Sequence, residues 1–308
     1  MLEVSEVGNT ISKADYKAAI PELRVGLINA QYDLRDADFP VIIWIAGDDR
    51  LGANALVNRL NEWMDSRYAD TRVLAEPTDE ESQRPQLWRL WRSVPPKGRA
   101  SFFVGGLMRA ASLHAEAEVE EPEFSIWLRH IANMQHALVA DGALILKFFL
   151  HTPAKAQKKN LKKAERHPER GWQVDQRDWA ALDAMGPVLP IAERILRETS
   201  VPGAPWSIVE STDANYRDLT VARTILAALT TRLAQDSRPP AQSLSESVFG
   251  DIDASRCSVR RRPVPDLGQR AVPRAVGQRT SQAARAGIEG PRARIEHGAR
   301  VRGLGCRR

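Results

Sequence analysis

Hydrophobic and polar positions along the chain follow patterns that predict strands separated by helices. Short runs of apolar, β-branched and aromatic residues are typical of buried strands, and a helix is the usual connection between parallel strands. The predicted strands are residues 41–45, 71–75, 101–104, 143–150 and 206–210, and the predicted helices are residues 13–36, 55–64, 80–94, 107–120, 122–141, 154–166, 172–182, 188–198 and 216–235. The order of elements predicts one α/β domain over residues 1–236, with a parallel sheet and helices on both of its faces.

Two local signals refine these helices. Pro21 lies inside the first one, which therefore either kinks at the proline or begins near it. Thr78 followed by Glu81 has the spacing of a capping box, which predicts a helix start at this point.

The segment from Val41 to Asn54 joins the first predicted strand to the next helix and reads V-I-I-W-I-A-G-D-D-R-L-G-A-N. Gly47 and Gly52 have the spacing of the phosphate-binding P-loop G-x-x-x-x-G-K-[ST], whose backbone N–H groups hold phosphate. Ala53 stands at the lysine position and Asn54 at the hydroxyl position, so the turn is present without its cation. Two interpretations stay open: a phosphate-binding turn, or a connection that merely uses glycines.

The positive charge of the chain is concentrated near its end. Residues 257–308 hold 13 Arg, no Lys and three acidic residues, a net charge of +10, which leaves −5 of the overall +5 for the rest of the chain. A basic tail can bind nucleic acid, but this one has no aromatic residue and holds both cysteines, Cys257 and Cys306. We favour translation in a shifted reading frame over nucleic-acid binding, with residues 237–256 as a linker and 257–308 as a disordered tail.

Two other segments contain clustered Arg or Lys residues. Each cluster is either a binding site for a polyanion or the solvent-exposed face of a helix. Arg84, Arg89 and Arg92 are interleaved with tryptophans, and α-helical spacing makes Lys158 and Lys162 neighbours of like charge.

The histidines show no metal-ligand spacing, so we assign no metal ligand. No apolar run reaches the roughly 20 residues of a membrane span, and the first residues lack a signal-peptide pattern. We therefore expect a cytoplasmic protein.

Taken together, these segments resemble the polyphosphate kinase 2 family, and more closely the N-terminal half of its tandem-domain polyphosphate:AMP phosphotransferases. The resemblance covers about residues 1–236. It is carried by G-x-D-x-x-G at residues 47–52, V-N-R-L-N-E-W-M-D-S-R at 57–67, P-T-D-E-E at 77–81, W-R-L-W-R at 88–92, P-K-G-R at 96–99, K-F-F at 147–149, Trp172, D-W at 178–179, A-P-W at 204–206 and residues 213–223.

The resemblance implies a P-loop kinase-like α/β fold with a helical lid, and phosphoryl transfer between polyphosphate and AMP or ADP with Mg²⁺. It makes Asp49 the catalytic loop carboxylate and Gly47 and Gly52 the loop glycines. The phosphate-binding candidates are Gly47, Gly52, Ala53, Asn54, Arg84, Arg89, Arg92, Lys158 and Lys162.

The departures from the family pattern are as informative. The family's loop Lys is Ala53, its strand-end motif D-R-x-W-Y falls on V-G-G-L-M at residues 104–108, and its lid Arg falls on Asn160. Two hypotheses follow. The chain is either a phosphotransferase of weak or absent turnover, or a non-catalytic domain that binds polyphosphate or supports a catalytic partner, as an oligomer or a paired domain.

Overall fold

A five-stranded parallel sheet forms the centre of the computed structural model, which describes residues 2–168 and 171–235. The strand order is β2-β3-β1-β4-β5, so β1 is the central strand. The strands are β1 Val41–Gly47, β2 Ala69–Leu74, β3 Ala100–Gly105, β4 Leu144–His151 and β5 Trp206–Glu210. All pairs are parallel, and Val41 is in register with both Ala100 and Leu144. The turn after β1 therefore lies at the middle of the edge where the strands end.

Helices cover both faces of this sheet. In chain order they are α1 Lys13–Leu34, α2 Arg50–Trp63, α3 Asp79–Ser82, α4 Trp88–Ser93, α5 Leu107–Ala115, α6 Glu121–Ala140, α7 Ala154–Glu165, α8 Gln176–Asp183, α9 Met185–Glu198 and α10 Ala214–Ala234, with 3₁₀ turns at Glu3–Ser5 and Gly171–Gln173. Alternate side chains of β1 enter two separate cores: Ile43 and Ile45 pack with α1, α2 and α10, whereas Ile42 and Trp44 pack with α5, α6 and α9. The predicted α/β class with helices on both faces is confirmed.

Several predicted boundaries were wrong, each for a local reason. For α1, only the alternative in which the helix begins near Pro21 is wrong, because α1 extends over Lys13–Leu34 as one helix with Pro21 inside it. The helix predicted over residues 80–94 is two short helices, because Pro85 between them has no N–H to donate and disfavours a helical conformation before it. The capping box of Thr78 and Glu81 is confirmed at the start of α3. The segment predicted as a helix from Trp172 forms α8 only from Gln176, because the Asp175 side chain caps the helix there.

The predicted linker and tail, residues 237–256 and 257–308, and the predicted domain boundary at 236 lie outside the described residues. Within residues 2–168 and 171–235, no helix combines the length and the apolar character that spanning a membrane requires.

Lys147 is a buried cation in the middle of β4. Its side chain is 1% exposed, its Nζ donates hydrogen bonds to Gln135 Oε1 and, at 2.6 Å, to the Thr199 carbonyl, and it lies 5.0 Å from the centre of the Trp206 ring. Burial lowers the pKa of Lys147 to about 7. The residue thus ties β4 to α6 and to the end of α9.

We predict that this burial makes the stability of the fold depend on pH. Between about pH 7 and pH 10 the unfolded chain keeps the Lys147 proton that the folded chain has released. The free energy of unfolding should therefore rise with pH relative to that of Lys147→Met, with a slope approaching about 1.4 kcal/mol per pH unit. Urea titrations at several pH values measure the difference, and Lys163→Met, at an exposed position of α7, is the control. A difference that stays constant over this range would show that Lys147 remains protonated.

Candidate functional site

The turn between β1 and α2 is shorter than the sequence pattern predicted. Helix α2 begins at Arg50 rather than near residue 55, so that Gly52, Ala53 and Asn54 lie within its first five residues and not in a loop. Asp49 is the N-cap, and its Oδ1 accepts a hydrogen bond from the Gly52 N–H at 3.0 Å. This cap satisfies one of the free N–H groups of the helix start.

Close packing restricts both glycine positions around the start of α2, and it is stricter at Gly47 than at Gly52. A Cβ atom added to Gly47 would lie 2.3 Å from the Leu150 carbonyl oxygen of the neighbouring strand. A Cβ atom on Gly52 would lie 2.7 Å from Asp49 Oδ2 and 3.1 Å from Arg217 Nη1. The fold thus needs glycine at position 47 whether or not phosphate binds, whereas a Cβ atom at position 52 would meet only the side chains of Asp49 and Arg217.

Asp49 is buried next to the ion pair formed by Arg217 and Asp218. Burial raises the pKa of Asp49 above its ordinary value, while the Gly52 N–H and the Arg217 guanidinium act in the opposite direction. Arg217 also forms an ion pair with Asp218, with 2.6 Å between Nη2 and Oδ1. The predicted loop carboxylate therefore lies against a protein cation inside the domain.

Asp48, which the sequence analysis missed, anchors the turn to the end of β4. Its Oδ2 is hydrogen-bonded to His151 Nδ1, and its Oδ1 accepts the Thr152 N–H at 2.8 Å. The other ring nitrogen of His151 lies 3.0 Å from Glu6 Oε1. Burial alone would lower the pKa of His151, but the two carboxylates raise it. The sequence could have indicated this pair, because Asp48 and His151 stand at the carboxyl ends of two strands that were predicted to be parallel.

Buried apolar side chains occupy the two positions where the family resemblance implies a loop lysine and a strand-end carboxylate. Ala53 is 6% exposed and belongs to the core against α1 and α10, and Val104 at the end of β3 is 4% exposed. The residues after Val104 are Gly105 and Gly106, both with positive φ. Neither position offers a charged or polar side chain to a phosphate or a metal.

Helices α7 and α8, which follow β4 and are called the lid here after the family resemblance, connect to the turn through Arg50. Arg50 Nε and Nη2 donate to the two carboxylate oxygens of Asp178 on α8 at 2.7 and 2.6 Å, and Nη2 also donates to the Gln173 carbonyl at 2.7 Å. Neither Arg50 nor Asp178 was predicted from the sequence to belong to the site. Their separation of 128 residues leaves no local pattern that could have revealed the pair.

The three arginines predicted to bind phosphate, Arg84, Arg89 and Arg92, have different surroundings. Arg84 lies 3.2 Å from Glu80, and Arg89 donates to the Ala75 carbonyl at 2.8 Å. The Arg92 guanidinium lies 5.1 Å from the centre of the Trp88 ring. Arg84 and Arg89 line a cavity of about 340 Å³, and Arg92 is not among its lining residues.

The predicted lysines lie on the outer surface of the lid. Lys158 and Lys162 of α7 are exposed, whereas Gln157 and Leu161 of the same helix are buried. Gln157 Nε2 donates to the Asp48 carbonyl at 2.7 Å, which fixes α7 next to the turn. The structure thus brings the lid helix to the turn and leaves these lysine side chains facing solvent.

The donor set at the turn does not fit a protein-held Mg²⁺ ion. Mg²⁺ favours carboxylate oxygens in a near-octahedral arrangement, but the Asp48 oxygens bond to His151 and Thr152, and Asp49 bonds to Gly52 beside Arg217. In the part of the chain that the structure describes, no group of three or more His, Cys, Asp or Glu side chains could hold a metal.

We predict that Asp49 stabilises the domain as a helix cap and not through its charge. Asn keeps the oxygen that accepts the Gly52 N–H. At pH 7 the free energy of unfolding of Asp49→Asn should therefore equal or exceed that of the unmodified chain. Asp49→Ala removes the cap and should lower this free energy by about 1 kcal/mol. Urea unfolding compares the three proteins. Equal losses in both variants would mean that attraction between Asp49 and Arg217 stabilises the turn.

Comparison with known proteins agrees with this architecture. The family model of polyphosphate kinase 2 (PPK2) matches residues 10–237. The polyphosphate:AMP phosphotransferase of Pseudomonas aeruginosa PAO1 is 36% identical over 255 residues, covering 82% of this chain and 51% of that protein. That of Pseudomonas syringae pv. tomato is 35% identical over 233 residues, covering 74% and 46%. The chain spans about half the length of these relatives.

Two solved structures are similar as well. A crystal structure from Pseudomonas aeruginosa PA01, described as a polyphosphate kinase 2, has a TM-score of 0.66 at 37% identity and covers 82% of this chain and 52% of that one. Polyphosphate Kinase 2 from Arthrobacter aurescens TC1 has a TM-score of 0.69 at 23% identity, covers 83% and 90%, and shares the fold. With a family model matched over most of its length, the chain belongs to the polyphosphate kinase 2 family.

Proposed function

We propose that the protein functions in phosphoryl transfer between inorganic polyphosphate and AMP, as a PPK2 domain that binds polyphosphate and contributes little or no turnover itself. The domain extends over residues 1–236 and acts in the cytoplasm. One observation carries the proposal: Ala53 and Val104 are buried apolar side chains at the positions where the family resemblance places the loop cation and the strand-end carboxylate.

The expected loss of rate is large. Phosphoryl transfer depends on positioning and on neutralising the charge that develops on the transferred group. Removing a single group that stabilises such charge costs on the order of 10²–10³ in rate. The loop Lys, the strand-end Asp and the lid Arg of the family are all replaced here, by Ala53, Val104 and Asn160. Turnover by this chain alone is therefore expected to be negligible.

A partner domain completes the proposal. The relatives named as polyphosphate:AMP phosphotransferases are about twice as long as the part that this chain matches. A catalytic PPK2 domain, whether covalently attached or a separate chain, would supply the missing groups. Under this proposal the present domain packs against that partner and binds polyphosphate through its exposed lysines and arginines.

The alternative function is a weak phosphotransferase in its own right. The retained turn favours it, because Gly47, Asp49 and Gly52 keep the family spacing and Arg50 places a guanidinium next to the turn. Mg²⁺ bound to polyphosphate rather than to the protein would accompany the substrate in either case.

An ADP-formation assay separates the two functions. With Mg²⁺, polyphosphate and AMP, we expect this chain to form no ADP above the protein-free background, because it lacks the charged groups described above. The polyphosphate:AMP phosphotransferase of Pseudomonas aeruginosa, assayed alongside, is the positive control. ADP that accumulates in proportion to the concentration of this chain would rule out the non-catalytic proposal.

Polyphosphate binding is expected to depend on the lid lysines. Replacing Lys158 and Lys162 by Gln removes two neighbouring cations of α7, so binding should weaken about tenfold or more and become less sensitive to salt. Fluorescence anisotropy of labelled polyphosphate over a salt series measures both. Lys13 and Lys17 of α1, also exposed and four residues apart, provide the matched control when both are changed to Gln. Equal losses in the two double variants would mean that only net charge matters and that α7 is no specific site.

A further inference from the structure

The ion pair between Arg50 and Asp178 holds the lid against the turn. Arg50 is the first residue of α2. Its Nε donates to Asp178 Oδ1 at 2.7 Å and its Nη2 to Asp178 Oδ2 at 2.6 Å. The Arg50 side chain is 49% exposed, whereas that of Asp178 is 6% exposed. The guanidinium therefore lies at the boundary between the lid and solvent, where an incoming ligand can reach it.

A separate apolar contact docks the same elements. Leu51, the residue after Arg50, packs against a small cluster formed by Leu161 of α7, Leu182 of α8 and Met185 of α9, together with Val174 and Trp179. This contact does not involve the ion pair, so the lid can remain folded when the ion pair opens. Breaking the ion pair is thus a local change, and the apolar cluster retains the lid helices.

The geometry of the ion pair is that of anion recognition. A guanidinium holds a carboxylate and a phosphate in the same way, through two parallel N–H donors. Arg50 is the only cationic residue between positions 47 and 54, where Ala53 stands at the position of the family's lysine. Asp178 thus occupies this guanidinium as an external anion would.

We propose that Arg50 is the polyphosphate-binding cation of the turn, and that Asp178 is an internal competitor, which a polyphosphate chain displaces. This inference rests on the polyphosphate binding in the proposed function. A partly exposed ion pair of this kind changes an equilibrium constant by no more than about fivefold. A polyphosphate chain carries a charge on every unit and so can displace a single carboxylate.

Three variants test the competition. Arg50→Gln removes the cation, and Asp178→Asn removes the competing charge while keeping an oxygen that accepts the Asp175 N–H, now 3.0 Å from Asp178 Oδ2. The third variant combines both changes. The controls are Arg194→Gln and Glu121→Gln, which break another two-donor pair, at 2.8 Å for both bonds, between α9 and α6 with the same changes in net charge.

The measurement is the dissociation constant of labelled inorganic polyphosphate of uniform chain length at fixed salt. We expect Asp178→Asn to bind about threefold to fivefold more tightly, Arg50→Gln about tenfold more weakly, and the double variant like Arg50→Gln alone. This non-additive pattern is the signature of competition for one group. The control variants should shift binding only by the small effect of net charge.

The other outcomes contradict the inference and separate it from the proposed function. If the unmodified chain binds polyphosphate in a salt-sensitive manner but the Arg50 and Asp178 variants behave like their controls, the competition is refuted and the polyphosphate-binding function stands. If neither the unmodified chain nor Asp178→Asn binds polyphosphate, both are refuted. Additive effects in the double variant would show that the two residues act independently and would also overturn the competition.

Discussion

The hydrogen bond from the Gly52 N–H to the Asp49 carboxylate fixes the start of α2 directly after the central strand of the sheet. Only Asp48 and Asp49 separate Gly47 from Arg50. Such a short connection forces Gly47 against the Leu150 carbonyl and places the Asp49 and Arg217 side chains close to position 52. The glycine spacing of a phosphate-binding loop is thus also the spacing that suits packing at this strand-to-helix turn. The turn can retain its shape when the residues for catalysis are replaced.

The charges around this turn are paired within the protein. Asp48 has His151 and the Thr152 N–H, Asp49 has the Gly52 N–H beside Arg217, and Asp178 has Arg50. Buried carboxylates are costly without such partners, and each of these has one. The same pairing leaves little free donor capacity for a metal ion at the turn. This pairing agrees with the proposal that the domain binds polyphosphate through cations at its surface.

Periodicity and strand composition predicted most of the fold because burial on both faces requires continuous apolar segments. The last strand was predicted with its observed bounds, Trp206–Glu210, and the α/β class follows from the order of elements. The start of α2 was misplaced because the two glycines suggested a loop, whereas capping by Asp49 starts the helix at Arg50, before Gly52. The break at Pro85 was underestimated because the capping box before it indicated a single helix.

The candidate site was less predictable than the fold. The positions of Gly47, Asp49 and Gly52 came from a local motif, and their place at the carboxyl edge follows from parallel strands. The pairs Asp48–His151 and Arg50–Asp178 join residues 103 and 128 positions apart, and only the packed structure brings them together.

Phosphorus NMR of the chain with polyphosphate, AMP and Mg²⁺ tests binding and transfer in one sample. Our account predicts broadening of the internal polyphosphate resonance with no β-phosphate resonance of ADP. Growth of that ADP resonance, or an unbroadened polyphosphate signal, would contradict it.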